Sequence, residues 1–286
     1  MKDYFLSHDI DVIVPEIVHA KFERFAGDDQ VRVSALHEAF ARDDVDIVLA
    51  ARGGYGLSRL LDRIDYHLLA SSRKILIGHS DITALSLALL AKQSCASFAG
   101  PHAIGDFGSA TPSEFTACHF FAMLNSAQTE IVVDAKNPYD FQATGTLWGS
   151  NLSLVAALVG TPYLPAISDG ILFLEDINEA PYRVERMLYQ LFHAGILHRQ
   201  RAILLGDFRC ENAGTANDYN LQKVVDHFRE RIDVPILTGL PFGHIRDKLT
   251  LPIGAMCRLS TVENQFRLDL SRYPYLPLPT PNDADG

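Results

Sequence analysis

Short apolar runs that stop at a turn and pass directly into a helical pattern recur along this chain, and they leave few folds open to it. Asp46 to Ala51 is one such run; it ends in Arg52-Gly53-Gly54-Tyr55-Gly56, and Leu57, Leu60 and Leu61 then start a helix. Lys74 to Gly78 is a second, followed by a helix from Asp81 to Lys92. Ser97 to Gly100 is a third, ahead of a helix over Ser113 to Leu124 capped by Ser113. Upstream, Val33, Leu36 and Phe40 mark one helical face with Asp28 or Asp29 as its N-cap. Strands joined to helices by connections this short predict a parallel α/β sheet.

From Ser126 to Ala143 the pattern weakens to polar residues, Asn137-Pro138 and a single strand-like Ile131-Val132-Val133. Residues 129–144 therefore read as a link between an N-terminal parallel-sheet α/β domain (1–128) and a C-terminal mixed α/β domain (145–286). In the second half, helices are expected over Ser150 to Val159, Pro181 to Ala194 and Leu221 to Arg231. Strands are expected over Gly170 to Leu174, Arg201 to Leu205 and Pro235 to Thr238, with a polar loop from Glu211 to Asp218. Leu249 to Leu259 and Val262 to Leu270 read as a closing antiparallel pair, and the proline-rich tail from Tyr273 as frayed. Ahead of Phe25, only Asp9 to Val14 has strand character.

A chain of 286 residues, 48% of them apolar, can bury a sizeable core. Its net charge of −10, with no basic patch, argues against nucleic acid or an anionic membrane as partner. No signal-peptide core and no bilayer-length apolar run occurs, so a cytoplasmic location is expected. Cys95, Cys118, Cys210 and Cys257 form no C-x-x-C pair and read as reduced, mostly buried thiols. There is no H-E-x-x-H, and His193 and His198 do not share a helix face, so no metal is expected.

The turn Gly78-His79-Ser80-Asp81-Ile82 sets Ser80 between a strand and a helix, where the first helical N–H groups are free. Ser80 reads either as a cap for that helix or as a nucleophile. A serine nucleophile needs a base within reach and a group that orients the base. His244 follows a strand, a proline and a glycine, and Glu175 ends an apolar strand where an unpaired carboxylate is costly. The carboxyl ends of strands are where open α/β sheets keep their sites. Glu175 could instead cap or pair with an arginine such as Arg183, and His244 could be an incidental loop residue. Taken together, Ser80, Glu175 and His244 make a Ser–His–Glu triad, with the N–H groups of Asp81 and Gly54 as an oxyanion hole. The turn lacks the second glycine of G-x-S-x-G, and no HGGG-type loop occurs, which counts against an ordinary α/β-hydrolase.

Six stretches in order resemble one family. They are Ala51 to Gly56, Gly78 to Asp81, Gly145 to Leu152, Leu174 to Glu179, Pro181 to Leu188 and Gly239 to His244. They are similar to the LD-carboxypeptidases, serine peptidases whose family includes microcin-immunity hydrolases, and the likeness runs from Phe25 to Leu270. The resemblance implies Ser80 as nucleophile, His244 as base and Glu175 as its orienting acid. It also implies release of terminal D-alanine from murein tetrapeptide in peptidoglycan recycling, without a metal or organic cofactor, by a cytoplasmic homodimer of two-domain form. Hydrolysis of a microcin-type acyl-nucleotide amide and non-catalytic binding of murein peptides are the alternatives. The family's chains open with a strand carrying an Ala-Pro-Ser-type turn and then a helix. Here roughly one strand and part of a helix are expected to be absent, through either a start codon placed too late or a sheet one strand short.

Overall fold

Two sheets carry the molecule, and a helix buried between them carries the serine turn. The computed structural model describes residues 1–135, 140–210 and 219–276. In chain order the first half holds α1 (Lys2–Leu6), α2 (Asp29–Ala41), β1 (Ile47–Leu49), α3 (Tyr66–Ser71), β2 (Ile75–Ile77), α4 (Ile82–Gln93), β3 (Ser97–Ala99) and α5 (Glu114–Asn125). The second holds β4 (Gln128–Asp134), β5 (Gln142–Asn151), α6 (Leu152–Ala157), β6 (Ile171–Glu175), α7 (Pro181–His193), β7 (Ala202–Leu205) and α8 (Leu221–Arg231). It closes with β8 (Ile236–Thr238), β9 (Leu251–Ile253), β10 (Met256–Val262) and β11 (Gln265–Ser271). The expected mixed α/β class is what forms.

The first sheet has the order β1-β2-β3-β9, with β1, β2 and β3 parallel and β9 antiparallel to β3. The second has the order β4-β11-β10-β5-β6-β7-β8. Its β5 to β8 strands are parallel, and β4, β11, β10 and β5 form an antiparallel wing. Parallel strands joined by helices bring their carboxyl ends to one side, so Asn151 and Glu175, paired in register, finish side by side.

Helix α4 is buried along most of its length: Thr83 through Leu89 are all shielded from solvent. It packs against β3, β9, β5, α3 and α6, and only its last turn, at Lys92 and Gln93, is exposed. Its Thr83 Oγ1 accepts the N–H of Asn151 at 3.3 Å, tying the helix behind the serine turn to the end of β5.

Several expectations change. Residues 129–134 of the expected link form, with Gln128, strand β4, hydrogen-bonded along its whole length to β11. Only Ile131 and Val133 of β4 are buried, so a half-solvated antiparallel strand shows little apolar signal. Asn137-Pro138 and the polar loop from Glu211 to Asp218 lie outside the described residues. The stretch Leu249 to Leu259 is split at Gly254: β9 leaves for the first sheet and only β10 pairs with β11. Strand β5 runs on through Asn151, held by β6, so α6 starts only at Leu152 with Asn151 as its cap. Leu57 to Arg59 make a single 3₁₀ turn before Asp65 caps α3. Asp9 to Val14 form no strand, because Asp9 turns left-handed (φ 55°) and the Ile10 N–H bonds back to Phe5. Tyr273 is buried and bonded to Thr129 at 2.7 Å, so the start of the tail is docked. All four cysteines are free, as expected, but only Cys257 is buried.

Candidate active site

Ser80 occupies the left-handed region (φ 59°) between β2 and α4. A non-glycine residue is rarely held there, and strained turns of this kind gather at functional sites. Its hydroxyl does not cap α4, and it has no hydrogen-bond partner among the described residues. Asp81 is the N-cap by position, and its carboxylate reaches across to accept the Leu57 N–H at 2.9 Å, with the Gly56 N–H beside it. Burial pushes the Asp81 carboxyl up, against the pull of those two amides. The carboxylate therefore clamps the Gly53–Gly56 turn over the serine. A side chain at Gly53 would place its Cβ 2.7 Å from Ser80 Cβ and 3.0 Å from Ser80 Oγ, so only glycine allows this approach. Gly54, at φ 121°, follows it. Asp81 follows the serine and Gly54 follows the glycine packed against it, and neither backbone N–H is used in a hydrogen bond among the described residues.

The second half of the site is built by side chains. His244 Nδ1 donates to Glu175 Oε2 at 2.8 Å, and Glu175 is fully buried at the end of β6. Its other oxygen, Oε1, accepts from Asn151 Nδ2 at 3.1 Å. Asn151 Nδ2 also lies 3.2 Å from Asp176 Oδ1, and Asn151 Oδ1 caps α6 through the Leu154 N–H. Asp176 is buried too, and Ser153 satisfies it with both its N–H and its hydroxyl. Glu175 therefore pairs with His244, whereas Arg183 pairs with Glu179 at 3.6 Å on the surface. With the proton on Nδ1, His244 keeps Nε2 as an acceptor.

The two halves meet through histidines. The His79 ring, one residue before Ser80, packs edge-on against His244 at 5.0 Å and stacks on His102 at 3.9 Å. His79 Nδ1 lies 2.7 Å from the Gly100 carbonyl. Burial, then the neighbouring His102, holds the His79 imidazole well below its ordinary pKa, and burial pulls His102 down to about 4. The donor atoms of His79, His102 and Asp106 lie within 4.8 Å of one another, a spacing a metal could use. Asp106, however, is engaged at both oxygens, by the His102 N–H and by Lys248 Nζ, each at 2.7 Å. The set is a hydrogen-bonded scaffold in this state.

These residues border a cleft of ≈ 470 Å³ whose wall includes His79, His102, His244, Arg209, Arg246 and Lys248. Asn151, His102, Asp106 and Lys248 had no role in the reading of the sequence. Asn151 sits in the Gly149-Ser150-Asn151-Leu152 stretch that carried the resemblance, and that was its one available signal.

Two family models match the chain: the LD-carboxypeptidase N-terminal domain over residues 1–100 and the LD-carboxypeptidase C-terminal domain over 144–259. A Bacillus subtilis protein named "Probable murein peptide carboxypeptidase" is 34% identical over 83% of this chain and 76% of its own. The murein tetrapeptide carboxypeptidase of Pseudomonas aeruginosa is 32% identical over 86% of this chain and 83% of its own. The crystal structure of muramoyltetrapeptide carboxypeptidase from Oxalobacter formigenes superposes with a TM-score of 0.85 at 44% identity. It covers 88% of this chain and 87% of that one. With both halves matched and relatives covered over most of their length, the chain belongs to the LD-carboxypeptidase family.

Proposed function

We propose that this enzyme releases the terminal D-alanine of murein tetrapeptide through an acyl-enzyme on Ser80. The observation that carries the reading is the 2.8 Å bond from His244 Nδ1 to the buried Glu175 carboxylate. It fixes the imidazole as the Nδ1–H tautomer, leaves Nε2 to take the Ser80 proton, and stabilises the imidazolium that forms. Ser80 Oγ attacks the carbonyl carbon, and the resulting oxyanion is held by the N–H groups of Asp81 and Gly54. His244 Nε2 then passes the proton to the departing amine, and water activated by the same nitrogen hydrolyses the ester. On this reading the nucleophile belongs to an N-terminal domain (1–128), and the acid and base to a C-terminal one (145–286). A cytoplasmic homodimer in peptidoglycan recycling goes with it. No helix among the described residues is long and apolar enough to cross a membrane.

The test is to incubate the protein with murein tetrapeptide and follow free D-alanine by mass spectrometry. Ser80→Ala is expected to lower kcat by on the order of 10⁴–10⁶-fold. Equal release by the variant and its parent would reject the mechanism.

A further inference from the structure

When His244 hands its proton to the departing nitrogen, the carboxylate carbon of that amino acid lies only about 2.5 Å from the nitrogen. Whatever receives this carboxylate must therefore share a cleft with His244. Three cations do: Arg209, Arg246 and Lys248. The two arginines are exposed, Arg209 leaning on Asp207 at 3.9 Å and Arg246 Nη2 donating to the Thr111 carbonyl at 3.4 Å. Lys248 is different. It is 4% exposed, yet it lines the cleft, and among the described residues its ammonium has one partner, Asp106 Oδ1 at 2.7 Å. An ammonium has three donors, so two remain.

Its position is fixed from every side. The Lys248 N–H donates to Thr116 Oγ1 at 2.9 Å, and that hydroxyl donates to the Arg246 carbonyl. Asp106 is held through its second oxygen by the His102 N–H. The His102 ring in turn borders Gly53 together with Ser80, since a Cβ built on Gly53 would stand 3.2 Å from His102 Cε1 and 3.0 Å from Ser80 Oγ. A cation so far out of water binds a carboxylate more strongly than one at the surface.

We propose that the Lys248 ammonium receives the free carboxylate of the departing amino acid, with Asp106 as the residue that positions it. The proposal rests on the Ser80 and His244 reading above and adds the reason the enzyme acts at a chain end. An internal peptide bond would present a neutral amide there, and the remaining donors of the ammonium would lose a charge-assisted hydrogen bond to substrate.

The experiment compares the tetrapeptide with its C-terminal carboxamide, reading released D-alanine or D-alaninamide by mass spectrometry. The parent is expected to favour the free acid by on the order of 10–100-fold in kcat/KM. Lys248→Met should bring that ratio close to unity, mainly by losing activity on the acid, and Arg246→Ala should leave it intact. Because Lys248→Met strands Asp106, the double variant Asp106→Asn/Lys248→Met gives the same reading with neither charge present. A parental ratio in both Lys248 variants, or its loss in Arg246→Ala or Arg209→Ala, overturns the proposal. No turnover of either peptide by the parent rejects the underlying mechanism and the proposal with it.

Discussion

The two ends of the candidate site are held by different means. At the serine end the backbone carries the geometry: a left-handed Ser80, a glycine pressed against it, and a turn clamped by the Asp81 carboxylate. At the relay end, side chains carry it, in the line Asn151 to Glu175 to His244. The first is sensitive to added atoms, because little space separates Gly53 from Ser80. The second is sensitive to lost hydrogen bonds and charge, because Glu175 has no contact with water to fall back on. A nucleophile has to be held with its hydroxyl free to meet its base, which backbone can do. A base has to be held through a bond that strengthens when it charges, and that needs a carboxylate.

The sharpest break of this contrast is Glu175→Gln, which keeps the shape and removes the charge. It should lower kcat by about 10⁴-fold, while a crystal structure of the variant shows the Ser80 turn unmoved. If kcat stays within a few-fold of the parent, the relay is not what holds His244. Next comes Gly53→Ala, which adds one methyl and no charge. Displacing the serine turn should cost on the order of 100-fold in kcat/KM, with a crystal structure showing Glu175 and His244 unmoved. A smaller effect separates the ends by pH. His102, with a folded pKa of about 4 against an unfolded value near 6.5, binds its proton more readily in the unfolded chain. Its contribution is therefore complete above pH 6.5 and is lost as pH falls towards 4, about 2 kcal/mol by pH 5. His79, also shifted down by burial, acts in the same direction. Urea midpoints at pH 7.5 and 5 should show the drop, and His102→Asn should flatten it; an unchanged slope would place the acid sensitivity elsewhere.

Much of this was legible in the chain because each piece is local. Ser80, Glu175 and His244 each follow a short apolar strand, and parallel α/β topology collects such ends on one side. That Glu175 needs a partner was expected from chemistry alone, since a carboxylate at the end of an apolar strand is costly unpaired. The choice between Arg183 and His244 was open, and the structure pairs it with His244. Residues whose task depends on distant neighbours gave no such signal. Asp81 acts on Gly56 and Leu57, His102 on His79, and Lys248 on a residue 142 positions away. Strand β4 showed only its Ile131 to Val133 stretch because half of it faces water, and β9 was read as one strand with β10 because nothing local marks its departure to pair with β3.

That three-residue strand has a consequence for how the protein is made. Ribosomes release the chain from its N-terminus, and the β1-β2-β3 layer emerges long before Leu251–Ile253 can cover the open edge of β3. Phe98 and its neighbours on β3, fully buried in the finished protein, must wait with that edge unpaired through most of synthesis. The serine turn is thus translated early and completed late. A cell that makes this enzyme must shield a half-built sheet until nearly the last strands arrive.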